Sequence, residues 1–439
     1  MISASPGLTA VRRRIRIALL ANLFARSVRV AEQLILVPLL LSNWGAQSYG
    51  EWLALGALAG FAPIANLGIG HAAAADIILK AARGELARAS SVVVTSLVAT
   101  SLSIVAGLMV FWLVLALTGV ETVLGLSRSD PGLALIVMTL ASALLLTTLS
   151  EPLAGALSAV RGAGLPSGIA AFSKTIELVS IGLALRAGMT PLVVAAIMLA
   201  GAALNVALHF ASTACSVSWL SFSPAHVDFQ IMARIAQPAA GFFVIFVCLN
   251  IFSVYLPRIL VSHTLGPVAL ATFSVLVTYT KTARNLATMT SQATQVEIGR
   301  LWAGGDLSGA RSITQRMLRQ AALLAALLLA GALALAPLVI PRWTGGNIAL
   351  DWPLMASLAL VALIGAYFDG LLLATGALNR VALVATGYAA GLAIALTGAM
   401  VLLPLTGRLA TIGVCLLLPE IGGIISGRRT LRSLGATSK

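Results

Sequence analysis

The chain is built from apolar runs of about 20 residues, separated by short loops that carry most of its charge. A helix of that length covers ~30 Å, the thickness of bilayer hydrocarbon. The run from Ala321 to Ile340 is apolar on every side. It is therefore neither the amphipathic face of a soluble helix nor one of the short alternating segments of a membrane barrel. Composition agrees: 59% of residues are hydrophobic and 10% charged, against roughly 25% charged in a soluble domain. A helix satisfies its own backbone polar groups in lipid, so the chain reads as an all-α polytopic membrane protein.

Twelve spans are expected, at 15–42, 51–77, 90–118, 132–160, 168–186, 191–214, 235–262, 267–294, 320–341, 353–376, 381–404 and 408–427. With that count, eighteen Lys and Arg fall on the side shared by both termini and four on the other. The positive-inside rule then makes both termini cytoplasmic. Arg12, Arg13, Arg14 and Arg16 precede an apolar run as in a signal peptide, but Arg26, Arg29 and Glu32 interrupt it. The segment reads as an uncleaved first span.

The net charge of +14 does not point to nucleic acid, because the basic residues sit mainly in short membrane-flanking loops. Cys215, Cys248 and Cys415 are scattered, without metal-ligand or disulfide spacing. No phosphate-cradling GxxxxGK(S/T) motif is present, so this chain is not itself an ATP-driven pump, and no cofactor is expected. The longest loop on the far side, about 119–131, is too short to carry the catalytic groups of a glycan polymerase or ligase. An enzyme is not expected.

A polar connector with Pro224, His226 and Asp228 divides the chain into a six-helix lobe over 1–215, a cytoplasmic connector over 216–234 and a second lobe over 235–439. The two lobes show a faint repeat. Pro38 to Ser42 is followed by Gly45 and Tyr49-Gly50-Glu51-Trp52; Pro257 to Ser262 is followed by Gly266 and Leu270-Ala271-Thr272-Phe273. In both, an aromatic residue follows the glycine by seven positions. Duplicated halves are a common way to build transporters, with the substrate site between them.

A charge at mid-membrane costs at least ~2.5–3.5 kcal/mol on insertion scales, so each one demands a reason. Six cations lie within spans: Arg26, Arg29, Lys174, Arg258, Lys281 and Arg284. Asn22, Arg26, Arg29 and Gln33 share one face of the first span; Thr278, Lys281, Asn285, Thr288, Gln292 and Gln295 share one face of the eighth, with Arg284 on its flank. Asn250, Ser253 and Arg258 add polarity to the seventh. Such stripes should line a water-filled cavity. Arg29 with Glu32, and Lys174 with Glu177, are three residues apart and can neutralise one another within a turn. Arg258, Lys281 and Arg284 have no acid so close in sequence, which favours an anionic ligand, and arginine's fork suits phosphate oxygens. Asp76, Glu151 and Asp369 are candidates for coupling to protons or sodium, while His71 and His209 read as packed histidines.

The run Leu36-Val-Pro-Leu-Leu-Leu-Ser-Asn-Trp-Gly-Ala-Gln-Ser-Tyr-Gly-Glu-Trp52, followed by Asn66-Leu-Gly-Ile-Gly70, resembles the opening of Wzx-type O-antigen and polysaccharide flippases. These belong to the multidrug/oligosaccharidyl-lipid/polysaccharide exporter superfamily. The resemblance implies two pseudo-symmetric six-helix lobes forming a V around a cationic cavity, as in MATE and MurJ proteins, in a bacterial inner membrane. It implies flipping of an undecaprenyl-pyrophosphate-linked oligosaccharide to the periplasmic leaflet for lipopolysaccharide biosynthesis, with glycan polymerase or export machinery as partners. Arg26, Arg29, Arg258, Lys281 and Arg284 would meet the pyrophosphate, with Lys174 counted among the substrate-binding cations of the cavity. An acidic residue often found in the family's seventh span is absent here, since Val254 to Arg258 is apolar or basic. A cation-coupled small-molecule exporter of the multidrug branch is the alternative.

Overall fold

The computed structural model describes residues 8–436, apart from 67, 127–130, 163, 224–226, 229, 232–246, 304–305 and 378–380. Nearly everything described is helical. In chain order the helices are α1 (Leu8–Ala59), α2 (Ile69–Ala82), α3 (Leu86–Thr118), α4 (Val120–Leu124), α5 (Pro131–Thr147), α6 (Ser150–Arg161), α7 (Gly164–Arg186) and α8 (Pro191–Ser216). There follow α9 (Ser253–Leu265), α10 (Pro267–Ala303), α11 (Leu307–Trp343), α12 (Trp352–Ala377), α13 (Val381–Thr406), α14 (Leu409–Cys415) and α15 (Leu417–Ala436).

Among the described residues nine helices are long and apolar enough to cross a membrane, and a bent pair, Ala31–Asn66 with Ile69–Ala82, makes ten. Two of the twelve expected spans are not in that count. The first, 15–42, begins among residues whose side chains lie outside the described set. The eighth, 267–294, is helical throughout within α10, but Lys281, Arg284 and its polar stripe make it too hydrophilic to pass on composition.

The chain divides into two compact units: 1–39, 58–122 and 128–243 form the first, and 40–57, 123–127 and 244–439 the second. The connector after α8 belongs to the first unit. There the Ser221 amide donates to Ser90 Oγ at 3.1 Å and the Asp228 amide to Thr95 Oγ1 at 3.0 Å. Residues 40–57 and 123–127 cluster with the second unit, whereas the sequence alone gives no reason to part them from the N-terminal lobe.

The repeat is visible in the backbone. Gly45 interrupts α1 at φ 72°, ψ 175°, and Gly266, between α9 and α10, adopts φ 85°, ψ 174°. A positive φ with ψ near 180° is open essentially to glycine alone. The two glycines thus make the same break in corresponding places. Ala at either position should cost about 1–3 kcal/mol, read as a lowered unfolding temperature of the purified protein; an unchanged temperature would mean that the break tolerates a Cβ.

Local irregularities have chemical causes. Pro257 lacks an N–H and crowds the carbonyl four residues back, at Ser253, and the backbone widens into π-helical turns over Val247–Phe252 just before it. In the second unit α13 and α15 approach closely because small residues face each other. A Cβ on Gly391 would run into the Leu418 carbonyl, and one on Gly422 into the Gly387 carbonyl.

Candidate functional site

In the first unit, α7 and α8 run antiparallel and meet through a polar ladder. Ser173 Oγ donates to Asn205 Oδ1 at 3.2 Å, and one turn further along α7 Glu177 packs on Gly201, where a Cβ would stand 2.6 Å from its Oε2. Lys174, on the same stretch of α7, bridges two carboxylates: its Nζ lies 2.8 Å from Glu177 Oε1 and 2.8 Å from Glu32 Oε1 of α1. The pair three residues apart on α7 was legible in sequence; the contact to Glu32 closes a three-membered cluster with one positive and two negative charges. Arg29, the expected partner of Glu32, lies in α1 with a side chain outside the described residues, as do those of Asn22 and Arg26. Gln33 is exposed.

The second unit holds a matching cluster. Arg284 of α10 grips Asp369 of α12 with both sides of its fork, Nε to Oδ2 at 2.8 Å and Nη2 to Oδ1 at 2.7 Å. The same guanidinium donates through Nη1 to Glu420 Oε1 of α15 at 2.6 Å. The three side chains are 16%, 28% and 5% exposed. Three local features make this burial tolerable. Gly365, one turn before Asp369, leaves the space that the guanidinium fills, because a Cβ there would collide with it. Glu420 sits in the first turn of α15, where unpaired backbone N–H groups favour a negative charge. Phe368, stacked on Tyr388 at 5.1 Å and packed over Gly423, walls off the adjacent side. The reading of Arg284 as an unpaired cation is thus corrected: its partners lie 85 and 136 residues away in sequence.

Lys281 and Arg258 differ from Arg284. Lys281 is one turn earlier on α10 and exposed; Arg258, on α9 beside Pro257, is half-buried. Neither makes an ion pair among the described residues. Arg258, Arg284, Asp369 and Glu420 all lie within electrostatic range of Lys281, and the phenols of Tyr255 and Tyr49 within range of Arg258. Counting charges over these five ionisable groups, three cations face two carboxylates, leaving a formal excess of +1. Asn285 is exposed next to Arg284; the side chain of Asn250 lies outside the described residues.

The carboxylates considered for ion coupling each have a basic side chain beside them already. Lys80, one turn on, donates to both oxygens of Asp76 at 2.7 and 2.8 Å. His71 Nδ1 lies 2.9 Å from Glu151 Oε2, a close ion pair when the ring is protonated. Asp369 is held by Arg284. His209 is a packed histidine, buried with Nδ1 2.8 Å from the Asn205 carbonyl. Sequence reasoning missed Gly365 and Gly201, whose role appears only once a partner helix is in place, and left Glu420 without a role.

No protein-family model matches the chain, and no curated protein matches it in sequence. Solved structures do. An inward-facing multidrug resistance MATE family transporter of the MOP superfamily superposes with a TM-score of 0.74 at 14% identity, over 95% of this chain and 100% of the other. The lipid II flippase MurJ, in an inward closed conformation, superposes with a TM-score of 0.72 at 13% identity, over 95% of this chain and 87% of the other. An outward-facing MATE structure of the same superfamily gives 0.58 at 15% identity, over 97% and 96%. At these identities the likeness is one of architecture, and over almost its whole length the chain has the all-α membrane fold that these transporters and this flippase share.

Proposed function

We propose that the protein is a transporter that moves a polyprenyl-pyrophosphate-linked oligosaccharide from the cytoplasmic to the periplasmic leaflet by alternating access. Arg258 and Lys281 engage the pyrophosphate. The shared fold serves both multidrug transporters and a lipid II flippase, so the cargo has to be argued from charge. The carrying observation is a pair of neighbouring cations in the second unit, Arg258 half-buried and Lys281 exposed, without an ion pair among the described residues. Charged groups inside a membrane are retained for partners, and an anionic headgroup supplies one. Arg284 contributes indirectly: locked to Asp369 and Glu420, it stiffens the helix that presents Lys281. The glycan itself makes no charge demand and passes on to downstream polymerising or exporting machinery.

A second reading, a cation-coupled exporter of small molecules, draws support from the buried and half-buried carboxylates around Lys174 and Arg284. Binding separates the two. The purified full-length protein should bind polyprenyl pyrophosphate at least tenfold more tightly than the uncharged polyprenol, and the difference should shrink as salt rises. Equal binding of both lipids, with tight binding of organic cations, would favour the exporter.

A further inference from the structure

We propose that the end of the second unit formed by the start of α11 and the last turns of α15 is a binding surface for anionic phospholipid headgroups of the cytoplasmic leaflet. α11 has 37 residues, which makes it about 56 Å long, nearly twice the ~30 Å of hydrocarbon. The unbroken apolar run from Ala321 to Ile340 accounts for that thickness. Residues 307–320 therefore extend about 20 Å beyond it.

This overhang is two-faced. Ala310, Thr314, Met317 and Leu318 are buried, the last two in a core with Leu371 and Ala374 of α12. Arg311, Gln315, Arg316 and Arg319 are exposed, and at ~100° per residue they fall within an arc of about 140°. That arc runs on without a break into the bilayer: Leu323 and Leu327, next along the same face, are each 71% exposed. Arg319 and Arg316, two and five residues before the apolar run begins, thus stand at headgroup depth on the face that continues into the exposed leucines. Arg311 stands one further stretch out, about 15 Å from the run, where it adds to the attraction of the leaflet surface.

None of the three makes an ion pair among the described residues. The nearby acid, Asp306, is committed to capping α11, accepting from the Gly309 amide at 2.8 Å and the Ser308 hydroxyl at 2.9 Å. Those donors hold its carboxyl below its ordinary range, so the cap persists above the usual carboxylate pKa and is lost only as pH falls through the lowered value. Arg428 and Arg429 of α15 are exposed as well. Arg428 donates to the Tyr367 hydroxyl at 3.0 Å, and Tyr367 packs on the same core as Met317 and Leu318. Five arginines therefore fringe one apolar core. A soluble partner would meet only the overhang; the continuity of the arginine face with lipid-exposed leucine selects a membrane phosphate.

None of these residues belongs to the Arg258–Lys281 pair, so phospholipid binding here is separate from any engagement of a pyrophosphate by that pair. The test is retention of phosphatidylglycerol against phosphatidylcholine by the full-length protein, measured by native mass spectrometry. Wild type should prefer phosphatidylglycerol, and the triple variant Arg311→Gln, Arg316→Gln, Arg319→Gln should bind it about 100-fold more weakly, some fivefold per arginine. Should that variant fail to fold, wild type alone decides: its preference should collapse near 1 M salt, where the screening length falls to ~3 Å. A preference unchanged by the substitutions or by salt would overturn the proposal. So would full competition by millimolar inorganic phosphate, which would indicate a free-anion site.

Discussion

Arg284→Met should cost about 3–5 kcal/mol of stability, because it leaves Asp369 and Glu420 facing each other without their shared cation. Glu420 is only 5% exposed, so water does not replace the guanidinium there. The loss should appear as a much lower unfolding temperature. Neutralising the acids in the same chain, with Asp369→Asn and Glu420→Gln, should recover most of it, since the penalty belongs to the stranded charges and not to the missing side chain. Gly365→Ala should act in the same direction by pushing the guanidinium out of its seat. If Arg284→Met were instead as stable as wild type but unable to bind an anionic lipid, Arg284 would be a ligand rather than a strut.

The double variant Arg258→Gln, Lys281→Gln should behave in the opposite way. Neither residue makes an ion pair among the described residues, so their removal strands no carboxylate, and the protein should insert and unfold much like wild type. Binding of polyprenyl pyrophosphate, however, should weaken by about 30-fold or more for each cation lost, the cost of removing one partner from a close charge pair. In cells the variant should be made at normal levels and fail to support surface glycan display. Normal display with a normally inserted variant would remove Arg258 and Lys281 from substrate recognition. The two sets of substitutions thus separate Arg284 from Lys281, only one turn apart on α10: the first is proposed to hold the helix in place, the second, with Arg258 of α9, to face the cargo.

Much of this architecture was legible in the sequence, for physical reasons that can be named. Apolar runs mark spans because lipid admits little else, and the nine apolar helices lie on the expected segments. Gly45 and Gly266, matched by spacing alone, prove to share a backbone conformation that few other residues adopt. The local pair Lys174–Glu177 was readable because residues three apart on a helix are neighbours.

What the sequence hid is nearly all long-range. Glu32 and Lys174, and Arg284 with Asp369 and Glu420, meet only when helices distant in sequence pack together, and no periodicity reports that. No acid lies within a turn or two of Arg284 in sequence, whereas the fold supplies two from other helices. Gly365 and Gly201 gave no signal, because a glycine in an apolar helix resembles any other small residue until a partner side chain fills its space. Residues 40–57 belong to the second unit although they continue the first helix of the chain, an exchange that hydropathy cannot register.

The proposed cargo is tested most directly by transport in proteoliposomes that contain only the purified protein and a fluorescent lipid-linked oligosaccharide. A pyrophosphate-specific transporter should move the polyprenyl-pyrophosphate form between leaflets, leave an uncharged polyprenyl glycoside where it is, and lose the activity in the Arg258→Gln, Lys281→Gln variant. Transport of the uncharged lipid at the same rate, or transport of organic cations with no movement of either lipid, would contradict the assignment of these two cations to a lipid pyrophosphate.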